Sequence, residues 1–352
     1  MKNKKSGSHI SLWSLLNNLV ILRMKKTKKR ILSGIQPSGY LHLGNYFGMM
    51  SKMIEHQDQD DLYCFIADFH ALTVNPDPKI LSTNIYNAVC DFIALGLSPD
   101  KTTFWVQSDV PEVTELAWIL SSYTNLGLMD RSTTYKDKIA KGIKPNMGLY
   151  SYPILMAADI LLFNSNVVPV GKDQKQHIEI ARDIANKFNA NYGDVFILPE
   201  PRIEEKTKLI PGTDGQKMSK SYNNTIPIFG DEDVIFKNVM SIKTDTTPID
   251  KPKNKDTTLF YLYCLFANDS EKLLLSKKYD GSGLRYGDVK LELFQKIMDY
   301  FAPYREKRAL LHSKPDYIKD ILDIGAKKAK VIASETLDKV RTSIGLGIAN
   351  EL

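Results

Sequence analysis

The first two thirds of the chain alternate between short apolar runs and longer segments whose apolar residues recur with helical spacing. Short apolar runs are typical of strands buried on both faces of a sheet. We predict strands at residues 30–33, 62–69, 102–107 and 167–170. Helices are predicted between them at residues 45–56, 79–95, 111–123 and 174–188, the third capped by Asp109. This alternation indicates an α/β fold with a parallel sheet and crossover helices.

The alternation stops between about residues 126 and 163, a segment that is richer in polar residues and contains the helix-like string PILMAADILLF. After Asn224 the strand signals fade, and long helices are predicted at residues 289–311 and 315–344. The sequence therefore predicts two domains. An α/β domain covers residues 30–222, including the insertion at 126–163, and a helical region covers residues 223–352, with its last helix packed back on the α/β domain.

The basic charge of the chain is concentrated at its start. The formal net charge is +6, yet residues 1–30 contain nine Lys or Arg and no Asp or Glu. The remaining residues hold 38 basic and 41 acidic side chains, a net charge of −3. This excludes a protein that coats nucleic acid with a uniformly basic surface, so any RNA contact on the body must come from a local patch.

Residues 1–29 form a basic extension that we expect to be disordered. Its apolar part, residues 10–22, is too short and too polar to span a membrane, and it lacks the cleavage site of a secretory signal. A transit peptide and a start at Met24 both remain open. The cysteines suit neither a metal knuckle nor a disulfide framework, so we expect a cytoplasmic protein. They are Cys64, Cys90 and Cys264.

A Gly-rich loop with the sequence GIQPSG lies between the first predicted strand and the first predicted helix, and the string HLGN follows it at residues 42–45. Its two glycines permit a tight turn and a close backbone approach. The start of the helix offers free N–H groups and a partial positive charge to an anion. His42 adds hydrogen-bond donors, and Gly44 leaves room for a purine. Such a loop is by itself a common structural element, so it indicates a phosphate site only together with other evidence.

A second candidate for phosphate binding is the string KMSKS at residues 217–221, which follows the Gly-rich string PGTDGQ. Two lysines and two serines on a Gly-rich loop form a mobile cluster of phosphate donors. The sequence has no Walker A string, which argues against a P-loop enzyme. A solvated basic loop is the alternative for an arbitrary pair of lysines at this spacing, but the full five-residue string is more specific and favours phosphate binding.

These two motifs, in this order and about 170 residues apart, resemble the ATP-binding signatures of class I aminoacyl-tRNA synthetases. The first signature usually reads His-Ile-Gly-His, and its ending in Asn45 here fits the tryptophan-specific branch. The resemblance covers about residues 31–221 and weakens toward the string GLG near residue 345. The other strings similar to that branch are GIQPSGYLHLGNY, ADFHALT, SYPILMAADILLFN and VPVGKDQKQHIEIARDIA.

The resemblance implies a Rossmann-like catalytic domain of the HUP type, an inserted dimerisation segment and a helical region that binds the anticodon. It implies a ligase that uses ATP with Mg²⁺ to convert L-tryptophan to its adenylate and transfers it to tRNA(Trp), releasing AMP and diphosphate. Such catalysis needs positioning and charge stabilisation, so a nucleophile–base dyad is not expected. A homodimer without a resident metal site and without a membrane contact is also implied.

The residues implied by the resemblance fall mainly on the two motifs. Gly171 and its two successors would line the ribose, and Leu209 would offer backbone groups to adenine. The implied catalytic residues are His42, Asn45, Lys217, Ser219 and Lys220. The implied ATP-binding residues are Gln36, Pro37, Ser38, Gly44, Asn45, Gly171, Lys172, Asp173, Leu209, Lys217, Met218, Ser219, Lys220 and Ser221.

For the amino acid, the resemblance points to Asp159 as the acceptor of the indole N–H. Its apolar neighbours favour a buried position over a helix-surface one. The indole nitrogen only donates, so a buried carboxylate suits it. Phenylalanine would leave that carboxylate unpaired, at a cost of about 1–3 kcal/mol. Tyrosine also carries a donor, so pocket shape must exclude it. The other residues implied for this pocket are His70, Tyr152, Met156, Val168, Val170 and Gln174.

The sequence is less compatible with three alternative functions. A tyrosine-specific ligase is compatible with Asp159 but not with the strings GIQPSG and VPVGKDQKQH. A nucleotidyltransferase of the wider fold is usually shorter and lacks KMSKS with a helical domain. A non-catalytic paralogue that binds RNA or a regulator is disfavoured by the intact Lys217, Lys220 and Asp159.

The helix predicted at residues 289–311 carries a row of basic side chains. A charged helix face is more often solvated than bound to RNA, so we assign no anticodon-reading residue. The basic residues on or near this helix are Lys290, Lys296, Arg305, Lys307 and Arg308.

Overall fold

Five parallel strands form one sheet in the order β3-β2-β1-β4-β5. The structure is a computed structural model that describes residues 28–140, 142–171, 174–203 and 209–347. The strand order reverses direction between β1 and β4, which opens a crevice at the carboxyl ends of these two strands. The predicted α/β class is confirmed. The strands are β1 (Arg30–Ile35), β2 (Asp61–Ile66), β3 (Thr103–Val106), β4 (Val167–Val170) and β5 (Glu200–Ile203).

Two strand predictions differ from the structure. The run at residues 62–69 ends as a strand at Ile66, and the polar Asp68 starts a short helix instead. The edge strand β5 was not predicted, because its sequence EPRI has no apolar run and contains a proline. Proline is tolerated there because an edge strand has one side without ladder partners.

Helices fill the connections between the strands and most of the described chain after Glu232, apart from a non-helical segment at residues 241–257. Among the described residues, no helix is long and apolar enough to cross a membrane. The helices are α1 (Leu43–Asn45), α2 (Ser51–Gln59), α3 (Asp68–Ala71), α4 (Pro78–Ala94), α5 (Glu112–Tyr123), α6 (Leu126–Asp130), α7 (Thr133–Ala140), α8 (Met147–Leu162), α9 (Lys175–Tyr192), α10 (Glu232–Met240), α11 (Thr258–Phe266), α12 (Asp269–Asp280), α13 (Tyr286–His312) and α14 (Pro315–Ser343).

Two helix starts depart from the prediction. The helix expected at residues 45–56 begins as α1, passes through a π-helical turn at Tyr46–Met50 and continues as α2. The extra residue of a π turn shifts the side chains that face the core, and both ends of this turn are buried. The Asp109 cap was wrong, because Pro111 occupies the N-cap of α5 and Asp109 lies in a preceding 3-10 turn.

Apolar helix faces cover both faces of the sheet. Successive strand residues point to opposite faces of the sheet. Ile31 belongs to the core on one face, together with residues of α4, α10, α11, α12 and α13. Leu32 belongs to the core on the other face, together with residues of α8, α9 and α14. The final helix α14 lies directly against β3. A Cβ on Gly325 would stand 1.8 Å from the carbonyl oxygen of Phe104, so only glycine permits this approach.

The basic row on α13 is not simply a solvated face, which corrects the prediction for part of it. Lys290 donates to the carbonyl of Met240, and Lys296 pairs with Glu271 at 2.6 Å. Arg308 pairs with the buried Asp91 on α4. These basic side chains therefore fasten the helical region to itself and to the α/β domain.

Candidate active site

A cavity of about 260 Å³ lies at the carboxyl ends of β1 and β4, where the strand order reverses. The structure brings together in its wall every residue that the sequence placed around the amino acid. Gln36 and Gly171, from the predicted nucleotide set, line the same cavity. The predicted amino-acid residues are His70, Tyr152, Met156, Asp159, Val168, Val170 and Gln174.

Asp159 presents a buried carboxylate to this cavity, with 2% of the residue exposed. Its Oδ2 lies 2.7 Å from His70 Nε2, and its Oδ1 accepts a 2.7 Å hydrogen bond from Gln107 Nε2. Burial raises the pKa of Asp159, and the hydrogen bonds from His70 and Gln107 oppose that rise. A carboxylate has about four acceptor positions on its two oxygens, so Asp159 keeps acceptor capacity for a ligand donor.

Gln107 is a site residue that sequence reasoning missed. Its Oε1 accepts from the backbone N–H of Phe69 at 3.1 Å, which turns its amide donors toward Asp159. The available indication was its position, since Gln107 is the first polar residue after the buried run of β3. Polar residues at the carboxyl ends of parallel strands gather at the site edge of the sheet.

The ring of Tyr152 is held among charged and aromatic neighbours. His70 meets it edge-on at 4.7 Å between centroids, and His177 does so at 5.3 Å. Lys138 Nζ, from α7 of the insertion, lies 5.1 Å from the centre of the ring. Tyr152, itself in the insertion, thus connects α7 to the wall of the cavity.

The two phosphate motifs meet in space although they are far apart in the chain. Lys220 Nζ donates a 2.7 Å hydrogen bond to the carbonyl of Ser38 and lies 4.9 Å from the centre of the Tyr40 ring. Gly39 turns the first loop with φ +90°, a conformation that favours glycine. A phosphate chain in this crevice would therefore lie between a helix start and a lysine ammonium group.

His42 is buried where α1 begins, and its backbone N–H donates to Asn45 Oδ1 at 3.1 Å. Burial lowers the pKa of His42 to about 4, and the positive charge of Lys220 adds to this effect. His42 is therefore neutral at physiological pH and offers a ring N–H rather than a cationic charge. A Cβ on Gly44 would stand 3.0 Å from His42 Nδ1, so this glycine keeps the helix start open.

Asn224 holds the second motif together, and sequence reasoning did not identify it as a site residue either. Its Oδ1 accepts from Ser219 N–H at 2.8 Å, and its Nδ2 donates to the Lys217 carbonyl and to Asp214 Oδ1. A Cβ on Gly212 would stand 2.3 Å from the Asn224 amide, so glycine is required beside it. The loop that carries both lysines is therefore built around one buried amide.

Comparisons with known proteins agree with this geometry. The family model described as tRNA synthetases class I (W and Y) matches residues 24–297. A tryptophan–tRNA ligase of Fusobacterium nucleatum is 52% identical over 319 residues, which are 90% of this chain and 98% of that protein. A crystal structure of tryptophanyl-tRNA synthetase from Campylobacter jejuni, complexed with ADP and tryptophan, is 48% identical with a TM-score of 0.87. It covers 90% of this chain and 100% of that chain.

The chain belongs to the tryptophanyl-tRNA synthetases. The predicted family, ligase activity and fold class are confirmed, and the tyrosine-specific alternative is not supported. The Mycoplasma pneumoniae tryptophanyl-tRNA synthetase gives a TM-score of 0.77 at 32% identity, covering 92% of this chain and 99% of that chain. A tyrosyl-tRNA synthetase from Archaeoglobus fulgidus, at 20% identity, shares the fold alone.

The remaining synthetase residues predicted from the sequence include buried and exposed side chains. Lys172 and Asp173 lie outside the described residues. Met218 is buried, and its sulfur accepts from the Gly44 N–H at 3.2 Å, so it anchors the motif rather than facing solvent. The exposed members of the set are Gln36, Ser38, Leu209, Lys217 and Ser221.

Proposed function

We propose that the chain activates L-tryptophan with ATP in this crevice and transfers the tryptophanyl group to tRNA(Trp). The assignment of the site rests on one observation, which is that the cavity and the two phosphate loops lie next to each other. A cavity with Asp159 in its wall opens at the sheet edge from which the first phosphate loop leaves β1, and Lys220 joins that loop to the second one. We place the reaction in the cytoplasm, because Cys64, Cys90 and Cys264 are free thiols.

The adenylation step follows from the placement of donors. The tryptophan carboxylate attacks the α-phosphorus of ATP, the bond from that phosphorus to the bridging oxygen breaks, and diphosphate leaves with the negative charge. Lys217 and Lys220 neutralise that charge, while His42 and the start of α1 donate hydrogen bonds. In the second step the 2′-hydroxyl oxygen of the terminal tRNA adenosine bonds to the aminoacyl carbonyl carbon, and the bond from that carbon to the phosphate oxygen breaks. AMP leaves, and the hydroxyl proton is released to water. No covalent bond to the enzyme forms.

Mg²⁺ belongs to this proposal as part of the nucleotide substrate. The side chains of the two motifs are mainly lysines, serines, an amide and a neutral histidine, which suit phosphate oxygens, and the carboxylate of Asp214 on the second loop accepts a hydrogen bond from the Asn224 amide. Among the described residues, no group of three or more His, Cys, Asp or Glu side chains could hold a metal ion. Because Mg²⁺ is usually bound through substrate phosphates and water, the loops would receive it with ATP.

ATP–diphosphate exchange measured with each of the twenty amino acids tests the function. We expect exchange that depends on tryptophan, and exchange that depends on tyrosine or on none would refute the proposal. Lys220→Ala should lower the exchange rate about 100-fold without changing tryptophan affinity, because it removes charge stabilisation of the leaving group. Lys101→Ala, at an exposed ion pair with Asp58, is the matched control. Equal losses of rate and tryptophan affinity in Lys220→Ala would contradict this role.

Indole recognition by Asp159 is tested with an analogue that lacks the ring N–H. We expect kcat/KM for tryptophan to exceed that for benzothienylalanine by about 10–100-fold, since the analogue leaves a buried acceptor unpaired. Asp159→Asn should reduce this ratio. Met156→Leu lines the same cavity without changing a polar group and should affect both substrates alike. An unchanged ratio in Asp159→Asn would show that the indole nitrogen is recognised elsewhere.

We also propose that the synthetase acts as a homodimer through its insertion. Large apolar side chains are exposed on α5, α6 and the start of α8, namely Trp118 at 76%, Leu126 at 71% and Met147 at 74%. Exposed apolar residues of this size on adjoining elements are typical of an interaction surface. The helical region is proposed to read the tRNA anticodon.

A further inference from the structure

Helix α4 carries a polar face that reaches from the catalytic loops to the helical region. Asn84, Asn87 and Asp91 are three and four residues apart, so they lie on one side of the helix. Asp91 is only 2% exposed. A buried carboxylate in the middle of a helix is costly unless it has charged or hydrogen-bonding partners.

The partner of Asp91 at one end of this face is Arg308 on α13. Arg308 Nε donates to Asp91 Oδ1 at 2.5 Å, and its Nη2 donates to Asn87 Oδ1 at 3.3 Å. The guanidinium also lies 5.0 Å from the centre of the Phe229 ring. Arg308 is thus held on three sides, and it fixes the orientation of the Asp91 carboxylate.

The catalytic loops meet the other end of the same face at Gly39. A Cβ built on Gly39 would lie 3.7 Å from Lys220 Nζ and 3.9 Å from Asn84 Oδ1. The Lys220 ammonium group, which donates to the Ser38 carbonyl, and Asn84, at the start of the polar face, therefore both lie next to Gly39. The face leads from this ammonium group through Asn84 and Asn87 to the Asp91–Arg308 ion pair.

We propose that Asp91 is a positioning residue for adenylation, whose negative charge holds the Lys220 ammonium group over the first phosphate loop. Arg308 keeps the carboxylate in place, so α13 of the helical region is coupled to the catalytic lysine. The coupling rests on the proposed role of Lys220. Removing the charge of Asp91 frees the ammonium group to leave the Ser38 carbonyl before the nucleotide arrives.

The electrostatics of the two groups support this arrangement. Burial raises the pKa of Asp91 to about 6, and the positive charges of Arg308 and Lys220 oppose the rise. Burial lowers the pKa of Lys220, and the charge of Asp91 opposes that change. Each charged group therefore favours the charged form of the other.

A double-mutant cycle between Asp91 and Lys220 tests the inference through the single-turnover rate of adenylate formation. Asp91→Asn should slow this step about tenfold, with tryptophan affinity unchanged. In the Lys220→Ala background the same substitution should slow it less than about twofold, because the group through which Asp91 acts is gone. Slowing by the same factor in both backgrounds would overturn the inference.

The control separates positioning from loss of stability. Glu115→Gln breaks the Arg341–Glu115 ion pair, which ties α14 to α5 at 2.5 Å without reaching the loops. It should lower Tm and leave the adenylation rate unchanged. If Glu115→Gln and Asp91→Asn slow adenylation equally at an equal loss of Tm, the effect is structural and the inference fails. Should Asp91→Asn not fold, Asp91→Asn combined with Arg308→Gln, which removes both partners of the ion pair, takes its place in the cycle with the same expectation.

The outcomes also separate this inference from the proposed role of Lys220. A normal rate in Lys220→Ala alone would refute the catalytic role of the lysine and, with it, the coupling. A slow Lys220→Ala enzyme combined with a normal Asp91→Asn rate would refute the coupling alone.

Discussion

Burial shifts the pKa values of individual side chains at this site. Asp159 is buried between His70 and Gln107, and its pKa is raised. His42 is buried beside the positive charge of Lys220, and its pKa is lowered. Under the proposed function, the site would present a prearranged acceptor to the amino acid and a neutral donor to the nucleotide, and neither would need to reorganise when ligands bind.

The buried neutral His42 predicts a loss of stability in mild acid. The pKa of His42 is about 4 in the folded protein against an ordinary value of 6.5, so the unfolded chain takes up the proton first as pH falls. The stabilising contribution is complete above pH 6.5 and is lost as pH falls toward 4, by about 2 kcal/mol between about pH 6.5 and pH 5. Urea unfolding of wild type and His42→Gln at about pH 7.5 and pH 5 measures this contribution.

We expect the free energy of unfolding to fall less with acidification in His42→Gln than in wild type, by about 2 kcal/mol. Parallel pH dependence in the two proteins would mean that His42 titrates normally in the folded state.

A site residue can be predicted from the sequence when its side chain is chemically unusual for its position. Asp159 is such a residue, because a carboxylate inside an apolar helical string is unusual and needs a partner. Gln107 and Asn224 are not, because buried amides that hold other groups resemble the many asparagines and glutamines of ordinary loops. Their roles depend on hydrogen bonds to groups distant in sequence, such as the 52 residues between Gln107 and Asp159.

The periodicity of apolar residues predicted the helices and strands that have strong patterns. It failed for elements whose conformation depends on contacts with other parts of the fold. The helix α4 was predicted almost to its ends, since Asp77 caps it and a proline opens it. The π turn before α2 has no sequence marker, because it depends on packing of Tyr46 and Met50 into the core. The strand β5 depends on pairing with β4 at the sheet edge.

A change in the loop that carries the KMSKS string should affect activity separately from stability. Asn224→Ala removes the hydrogen bonds to Ser219, Lys217 and Asp214, so the two lysines lose their fixed frame. We expect the exchange rate to fall about tenfold or more, as misplaced catalytic groups lose their effective concentration. ATP–diphosphate exchange and thermal unfolding of the variant measure the two effects.

A matched control for Asn224 is available on α9. Asn189 makes the same kind of frame, accepting from the N–H groups of Val195 and Phe196 and donating to the Phe196 carbonyl. Asn189→Ala should lower Tm similarly and leave exchange intact. If both variants lose exchange in proportion to Tm, the Asn224 frame has no specific catalytic importance.

Over the whole molecule, both long helices of the helical region, α13 and α14, contact the α/β domain. Arg308 on α13 reaches Asp91 on α4, and α14 lies against β3 at Gly325. Periodicity predicted that these helices have apolar faces, but it does not identify the partner of each face. The coverage of the sheet by α14 therefore required the structure, as did the finding that basic side chains on α13 serve internal contacts.

Exposed apolar side chains on and beside the insertion form the proposed dimer interface. Trp118, Leu126 and Met147 lie on or next to the insertion, and α5 and α6 both contact α8, which carries Asp159 and Tyr152. We expect Trp118→Arg combined with Leu126→Arg to give monomers in sedimentation velocity, because burying two guanidinium groups in an apolar interface is strongly unfavourable. Leu274→Arg, on an exposed leucine of α12, is the control and should remain dimeric. Because the interface elements support the cavity wall, the monomer should also bind tryptophan more weakly. A double variant that remains dimeric would place the interface on another surface of the molecule.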